Sequence, residues 1–287
     1  MSATVEESHA RTTSDTTPVV LVKYGGNAMK DDELSKHVIA SLAAIVQSGI
    51  RLVLVHGGGP FIEQELQTHG VSSAFVAGHR VTTEESLPLI EMALKGRVNS
   101  KVVGLFNRAG LRAVGLSGKD GKMITVKRRY HVEHIDGEEV QQDIGLVGDV
   151  VAVDTGLVDA LLDDGYVPVI TCIACDEDGT DYNVNADMLA GHLAGALEAD
   201  DYVVLTDVDG LMTDPADPGT VIGNADVEAL QSQWKDCIVG GMIPKVESCI
   251  AALEGGVQRA RIINGTKPQT IHDVLVEKKQ RGTTITL

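Results

Sequence analysis

Short apolar runs alternate along the chain with segments in which apolar residues recur every three or four positions. The runs at 19–22 and 51–55 have the length of buried strands, and a glycine turn follows each of them. Between these runs, helical spacing is shown by Leu34, Val38, Leu42, Ile45 and Val46. This alternation predicts an α/β fold in which helices cover both faces of a mainly parallel sheet.

The middle of the chain departs from that order. Residues 123–129 and 147–153 flank a polar segment at 130–142, and this arrangement predicts an antiparallel hairpin or flap. Further strands are predicted at 112–116, 166–171, 202–206, 258–263 and 283–286. Further helices are predicted at 85–108, 155–165, 188–197, 227–234, 245–253 and 268–279.

The composition is that of a globular protein. With 287 residues, 43% of them hydrophobic, the chain can form one large domain or two lobes around a substantial core. No apolar run approaches the roughly 20 residues of a membrane-spanning helix. Residues 1–17 are polar and acidic without a hydrophobic segment, so we expect a mobile extension and not a secretion signal. We therefore expect a cytoplasmic protein that does not associate with membranes.

The formal net charge of −17 argues against nucleic acid as a partner, because a phosphate backbone is bound through a basic surface. It does not argue against phosphorylated substrates, since a few cations focused in one cleft outweigh a diffuse acidic exterior. The expected partners are therefore small-molecule substrates.

Four cysteines in a chain of this length indicate reduced thiols and not a disulfide framework. Cys172 and Cys175 have CxxC spacing, which also occurs in zinc sites. The other pair, Cys237 and Cys249, lacks ligand spacing, so packing in the core is favoured over zinc binding. No metal site is predicted in the protein itself.

Polar glycine turns follow several of the predicted strands. Lys23 stands at the end of the first strand and precedes Gly25 and Gly26, and the second strand runs into the HGGG sequence at 56–59. Taken alone, Lys23 would also fit a solvated lysine at a strand end. The carboxyl ends of parallel strands meet at one edge of a sheet, however, and backbone N–H groups in glycine turns bind anions.

The common nucleotide motifs are missing, because neither GxxxxGK[ST] nor GxGxxG occurs. What remains is a set of glycine loops, two lysines, Lys23 and Lys245, and Asp187 in an Asn-rich turn. Phosphoryl transfer depends mainly on positioning and charge neutralisation, so these groups would suffice for it.

Several separated motifs carry a resemblance to a known family: VKYGGNAM (22–29), LVHGGGP (54–60), GHRVT (78–82), VGLSGKDGKMI (114–124), NVNAD (183–187), TDVDGLM (206–212) and GGMIPK (240–245). Through them the chain from Val19 onward resembles the amino acid kinase family. The resemblance implies an open three-layer αβα sandwich with two lobes, in which residues 18–193 bind an acylated amino acid and residues 194–287 bind the nucleotide. The implied reaction transfers the γ-phosphoryl group of ATP, bound with Mg²⁺, to a carboxylate.

The resemblance also implies the catalytic groups. Lys23 and Lys245 would flank the transferred phosphoryl group, and Asp187 would orient both lysines. A carboxylate nucleophile is already ionised at neutral pH, so Asp187 would have no proton to remove. Backbone donors to the phosphate and substrate would come from Gly25, Gly26, Gly58 and Gly59.

By the same resemblance, Arg80 and Asn183 would hold the acylated amino acid, since a guanidinium fork fits an α-carboxylate bidentately. The residues that would line the nucleotide pocket are Asp207, Val208, Asp209, Gly210, Leu211, Met212, Cys237, Ile238 and Val239. A calcium loop is the competing interpretation of Asp207 and Asp209, but the remaining acidic ligands of such a loop are absent.

Three questions stay open at this stage. The chain length and acyl group of the amino acid are not fixed by the motifs, because one methylene is worth only about 1–3 kcal/mol in discrimination. A non-catalytic binding or regulatory protein on the same fold is an alternative, since a fold does not prove an activity. Relatives inhibited by arginine carry an amphipathic N-terminal helix that links dimers into hexamers. Residues 1–17 have no apolar stripe and the segment 277–283 departs from the expected one, so we expect a homodimer with little arginine inhibition.

Overall fold

The structure is a computed structural model, and it describes residues 17–25, 29, 31–135 and 138–287. Apart from Thr17, the predicted N-terminal extension lies outside this part of the chain. The strands are β1 (Val19–Tyr24), β2 (Arg51–His56), β3 (Phe75–Val76), β4 (His79–Arg80), β5 (Ala113–Ser117), β6 (Ile124–Ile135), β7 (Glu138–Val153), β8 (Val167–Thr171), β9 (Ile173–Cys175), β10 (Asp181–Val184), β11 (Asp201–Thr206), β12 (Asn224–Asp226), β13 (Arg259–Asn264) and β14 (Thr283–Thr286).

The α-helices of the described residues are α1 (Asp32–Gln47), α2 (Gly59–Thr68), α3 (Ser86–Glu91), α4 (Ser100–Arg108), α5 (Gly156–Asp163), α6 (Ala186–Ala196), α7 (Val227–Gln231), α8 (Ile243–Glu254) and α9 (Pro268–Leu275). A π-helical segment, Met92–Asn99, joins α3 to α4. The sequence predicted that helix α8 begins at Lys245, but it begins two residues earlier, at Ile243. Pro244 fits the first turn of a helix because it needs no N–H partner there. None of these helices combines the length and the apolar character needed to cross a membrane.

Eight strands of the described residues form the central sheet, in the order β12-β14-β13-β11-β1-β2-β8-β5. All neighbouring strands are parallel except β13 and β14, which are antiparallel. The predicted mainly parallel α/β sheet is therefore confirmed. Strand β1 lies between β2 and β11, so the two halves of the chain share one continuous sheet. The predicted lobe division between residues 193 and 194 falls inside α6 and stays a prediction.

Helices cover both faces of this sheet, which makes the molecule a three-layer αβα sandwich. The alternation of β1 shows the two faces. Val19 and Leu21 belong to one buried cluster, which includes residues of α2, α6 and α8, whereas Val20 and Val22 belong to another, which includes residues of α1, α4 and α9. Successive side chains of a strand point to opposite faces, so Lys23 points to the same side as Leu21, toward α6 and α8.

A second, small closed sheet is formed by β6, β7, β9 and β10. The antiparallel hairpin predicted here is present, but the polar segment at 130–142 is not a loop, because β6 and β7 continue through most of it. Backbone pairing of residues 130–135 with residues 138–143 holds this extension together in place of a buried face, and both strands carry exposed apolar side chains such as Val132 and Val140. At the base of the extension, Arg128 pairs with Asp143 at 2.8 Å.

Candidate active site

The carboxyl ends of β1 and β11 and the first turns of α6 and α8 meet at one edge of the sheet. Lys23, near the end of β1, places its Nζ atom 2.8 Å from Oδ1 of Asp187, and Lys245 places its Nζ atom 3.5 Å from Oδ2 of the same carboxylate. Asn185 caps α6 by accepting hydrogen bonds from the backbone N–H groups of Asp187 and Met188. The structure thus brings together three predicted residues that lie far apart in sequence.

These three charges are largely shielded from water: the side chains of Lys23, Asp187 and Lys245 are 6%, 9% and 17% exposed. Burial opposes ionisation of Asp187, but the positive charges of the two lysines outweigh it and hold the pKa of this carboxyl below its usual value. Burial, together with the charge of Lys23, lowers the pKa of Lys245. Two cations share one carboxylate, so the cluster carries a net positive charge suited to an anion.

Glycine turns lie beside this cluster. A Cβ atom on Gly25 would lie 3.1 Å from the carbonyl oxygen of Leu205 and 3.7 Å from Nζ of Lys23, so only glycine leaves this space open. Gly58 is the N-cap residue of α2, and a Cβ atom there would lie 2.8 Å from a methyl carbon of Leu94. Gly59 has open space around it. Gly26 lies outside the described residues, so its predicted role stays a prediction.

The HGGG loop rests on a buried hydrogen-bond chain that the sequence analysis did not identify. His56 is fully buried at the end of β2, its Nδ1 atom lies 2.9 Å from the carbonyl oxygen of Gly57, and its Nε2 atom lies 2.9 Å from the side-chain nitrogen of Asn99. The same Asn99 nitrogen donates to the carbonyl oxygen of Val169 at 2.9 Å. Burial lowers the pKa of His56 to about 4, so the ring is neutral, with Nδ1–H as donor and Nε2 as acceptor.

A cavity of about 370 Å³ lies at the carboxyl end of β11, and Lys245 is one of the residues that line it. Of the predicted nucleotide residues, those that line it are Asp207, Val208, Gly210, Leu211, Met212, Cys237 and Val239. Asp209 points elsewhere, toward Lys267 at 2.7 Å and the side chain of Asn264 at 2.7 Å. Ile238 packs against the core. The cavity therefore combines apolar lining residues with a lysine, as a nucleotide and its phosphates would require.

The two residues predicted for the acylated amino acid lie on two short strands, and Arg80 reaches the carbonyl oxygen of Gly59 in the HGGG loop at 3.4 Å. The guanidinium of Arg80, on β4, contacts Glu63 at 2.8 Å and Ser73, and stacks 4.6 Å above the ring of Phe75. The side-chain nitrogen of Asn183, on β10, donates to the hydroxyl of Thr82 at 3.2 Å. Thr82 in turn donates to the carbonyl oxygen of Arg80 at 3.1 Å, so the two predicted residues are connected through one buried hydroxyl.

The CxxC pair is split between the core and a partly exposed position. Cys172 lies in the main buried cluster, and burial raises the pKa of its thiol to about 11. Cys175, at the end of β9, is partly exposed, and all four cysteines are free.

An αβα sandwich with paired lysines at the carboxyl edge of its sheet, beside an apolar cavity, defines a small-molecule phosphotransferase. Residues 18–264 match the sequence pattern described as the amino acid kinase family. The chain belongs to this family.

Similar proteins include two acetylglutamate kinases. The one from Heliobacterium modesticaldum is 45% identical over 260 residues, which cover 90% of this chain and 87% of the relative. The one from Archaeoglobus fulgidus is 41% identical over 267 residues, which cover 93% of this chain and 92% of the relative.

Similar solved structures include N-acetylglutamate synthase from Neisseria gonorrhoeae complexed with coenzyme A and N-acetyl-glutamate, with a TM-score of 0.77 and 25% identity over 94% of this chain. The match covers 59% of the synthase, so this chain spans about three fifths of its length. Carbamate kinase from Giardia lamblia bound to AMP-PNP has a TM-score of 0.66 and 17% identity over 94% of this chain and 99% of that one. The second likeness concerns the fold alone.

Proposed function

We propose that the protein is an acetylglutamate kinase, which transfers the γ-phosphoryl group of MgATP to the side-chain carboxylate of N-acetyl-L-glutamate in the second step of arginine biosynthesis. The observation that carries this proposal is the placement of Asp187 between Lys23 and Lys245, at 2.8 and 3.5 Å, with Lys245 also lining a largely apolar cavity. The similarity to acetylglutamate kinases along most of the chain supports the choice of substrate.

In the proposed reaction, a carboxylate oxygen of the substrate forms a bond to the γ-phosphorus of ATP. The bond from that phosphorus to the β,γ-bridging oxygen breaks, and ADP leaves with the electron pair. Lys23 and Lys245 would neutralise the charge on the oxygens of the transferred group, and the N–H groups of the glycine turns would donate to them. Asp187 would keep the two ammonium groups at fixed positions by attracting both of them. Mg²⁺ would enter as part of MgATP.

The acyl end of the substrate is where the nearest alternatives differ. N-acetyl-L-2-aminoadipate is longer by one methylene, and N-succinyl-L-glutamate adds a carboxylate that would need its own cation. The two lysines of the loop that follows β5 offer no such cation. Lys119 already contacts Glu91 at 2.8 Å and Asp181 at 2.7 Å, and Lys122 is exposed. These contacts favour the acetyl group over the succinyl group.

The decisive experiment measures kcat/KM for the three acids side by side, with MgATP and hydroxamate trapping of the acyl phosphate. We expect N-acetyl-L-glutamate to be preferred. A more than tenfold preference for either alternative would reject the substrate and leave the phosphoryl-transfer chemistry in place. Nucleotide binding without ADP formation from any acyl amino acid would instead favour a non-catalytic binding protein on this fold.

We also propose that the protein acts as a homodimer with little inhibition by arginine. Support comes from the sequence alone, because residues 1–16 lie outside the described part of the chain. Light scattering with and without arginine tests the assembly. A hexamer whose apparent KM for the acyl amino acid rises with arginine would contradict it.

A further inference from the structure

The hydroxyl group of Tyr202 lies at the point where α6 and α8 approach the sheet. Tyr202 is fully buried on β11, and its hydroxyl oxygen lies 3.2 Å from the backbone carbonyl oxygen of Asp187 and 3.1 Å from the hydroxyl of Ser248. Ser248 is also fully buried, and its hydroxyl donates to the backbone carbonyl of Lys245 at 2.8 Å. One strand side chain is thus connected to the backbone of two residues of the phosphoryl site.

One placement of the two hydroxyl hydrogens satisfies all three of these contacts. The single proton of Ser248 goes to the Lys245 carbonyl, which leaves the Ser248 oxygen as an acceptor. The single proton of Tyr202 is then shared between that oxygen and the Asp187 carbonyl. A serine bonding back to its own helix is common, but here the same oxygen also receives a donor from the sheet.

Helices α6 and α8 are in close contact behind the two hydroxyls. A Cβ atom on Gly191 would lie 2.4 Å from the carbonyl oxygen of Ser248, and one on Gly195 would lie 3.0 Å from the Cα atom of Gly255. Both helices begin at the site, α6 with Asp187 in its first turn and α8 with Lys245 in its first turn. Their relative position therefore decides how far Lys245 lies from Asp187.

The two lysines are not held equally by Asp187. Lys23 contacts the carboxylate at 2.8 Å, whereas Lys245 lies 3.5 Å from it, at the outer limit of a hydrogen bond. The carboxylate alone therefore constrains Lys245 less, and the position of the first turn of α8 must supply the rest of the constraint.

We propose that Tyr202 and Ser248 are positioning residues for phosphoryl transfer, which fix the first turn of α8, and with it Lys245, relative to Asp187. This inference rests on the proposed function, because it requires Lys245 to act on the transferred group. Small displacements of a charge-neutralising group reduce the rate without removing the groups that bind the substrates.

The test is Tyr202→Phe, which removes one oxygen and keeps the ring. We expect kcat to fall about tenfold while the KM values for MgATP and the acyl amino acid change less than twofold, because the nucleotide cavity and Arg80 are untouched. Ser248→Ala should give a similar loss. The double variant should lose little beyond either single variant, because both changes break the same connection.

The matched control is Tyr24→Phe. Tyr24 is also fully buried, on the neighbouring strand β1, and its hydroxyl also bonds to a serine, Ser35, but it belongs to the cluster on the opposite face of the sheet. We expect this change to leave kcat within twofold. An unchanged kcat in both Tyr202→Phe and Ser248→Ala, an equal loss in the control, or a loss confined to KM would overturn the inference. Should Tyr202→Phe fail to fold, Ser248→Ala alone decides by the same criteria.

A failure of the proposed function gives a different result. In that case the wild-type protein itself forms no acyl phosphate from N-acetyl-L-glutamate. If it phosphorylates another acid, the comparison of variants is made with that acid, and the inference on Tyr202 is decided independently of the substrate.

Discussion

Arg80 and Glu63 form an ion pair at 2.8 Å beside the first turn of α2. The Arg80 guanidinium also contacts the Ser73 hydroxyl and the face of Phe75, and only 9% of its side chain is exposed. A planar group held on one face and at one edge has its remaining N–H donors directed in a fixed plane. Arg80 is therefore held in one orientation by contacts within the protein.

Arg80→Lys should raise the KM for the acyl amino acid at least tenfold and leave kcat within about threefold, because an ammonium group keeps the charge and loses bidentate geometry. Steady-state kinetics at saturating MgATP measures both constants. Arg128→Lys is the matched control, since Arg128 also pairs with a carboxylate, that of Asp143, and stacks near an aromatic ring, that of Tyr130, but in the β6–β7 hairpin. An unchanged KM in Arg80→Lys would show that Arg80 does not bind the acyl amino acid.

His56 should make the protein less stable in mild acid. Its pKa is about 4 in the folded protein and 6.5 in an unfolded chain, so the unfolded state binds more protons between these values. The contribution is complete above pH 6.5 and is lost as the pH falls toward 4; the shift corresponds to ~3 kcal/mol. Protonation of Nε2 would also set two donors against each other, because Asn99 already donates to that atom.

Urea unfolding at a series of pH values tests this expectation for His56. In His56→Gln, the free energy of unfolding should depend less steeply on pH across the same window, since glutamine does not titrate. Carboxylates contribute equally to both proteins, so the difference between the two curves isolates the histidine. Parallel curves would show that His56 is not the group responsible.

The three central residues of the site could be predicted from sequence, whereas their supporting contacts could not. Lys23, Asp187 and Lys245 each stand in a local motif next to a strand end or helix start, and parallel strands bring such ends together. Asn99 is 43 residues from His56, and nothing in its own helical pattern distinguishes it from a surface residue. Its partner depends on how the π-helical segment packs over β2 and β8, which is a property of the whole sandwich.

Two further features of the structure could not be predicted from the sequence, because they too depend on contacts between distant segments. Asp209 belongs to the TDVDGLM motif, but its side chain turns away from the cavity to Lys267, 58 residues on, and local sequence does not encode that pairing. The β6–β7 hairpin continues through a polar segment by backbone pairing of residues 130–135 with residues 138–143, without a buried face. Hydrophobic alternation is the main sequence signal for strands, so it gave no indication of this extension.

The two lysines should be required for turnover and not for substrate binding. Lys23→Ala and Lys245→Ala should each lower kcat about 10²- to 10³-fold, with a smaller effect on KM, because charge is redistributed in the transition state. Asp187→Asn should also lose turnover while the fold is retained, as judged by circular dichroism. Lys36→Ala, on the exposed face of α1, serves as the control and should leave kcat unchanged. Near wild-type kcat in either site variant would show that the proposed site is wrong.

Lys245 should give the rate an alkaline limit. Burial and the charge of Lys23 lower its pKa from the usual 10.5, so the ammonium is lost at a lower pH than in an ordinary lysine. We expect kcat/KM for MgATP to fall with a midpoint below 10.5. In the profile of kcat the midpoint should lie higher, since bound phosphates stabilise the ammonium. An arginine at this position stays charged throughout the pH range, so kcat/KM of Lys245→Arg should show no such alkaline fall, whatever its absolute value. If kcat/KM of Lys245→Arg fell with the same midpoint as in the wild type, the alkaline fall would be due to another group.

Cys237 should report nucleotide binding, if the nucleotide occupies the cavity that this residue lines. It lines the same cavity as Lys245 and is partly exposed, as is Cys175 in the small sheet, which does not line that cavity. Cys172 and Cys249 are buried, and burial raises the pKa of both thiols, so neither should react with iodoacetamide in the folded protein at neutral pH. We expect MgADP to slow alkylation of Cys237 at least fivefold and to leave the rate at Cys175 unchanged, as measured by peptide mass spectrometry. Because Cys175 reacts in the same molecules, it corrects for any effect of the nucleotide on the reagent or on global opening. Equal alkylation rates at Cys237 with and without saturating MgADP would show that the nucleotide does not bind in this cavity.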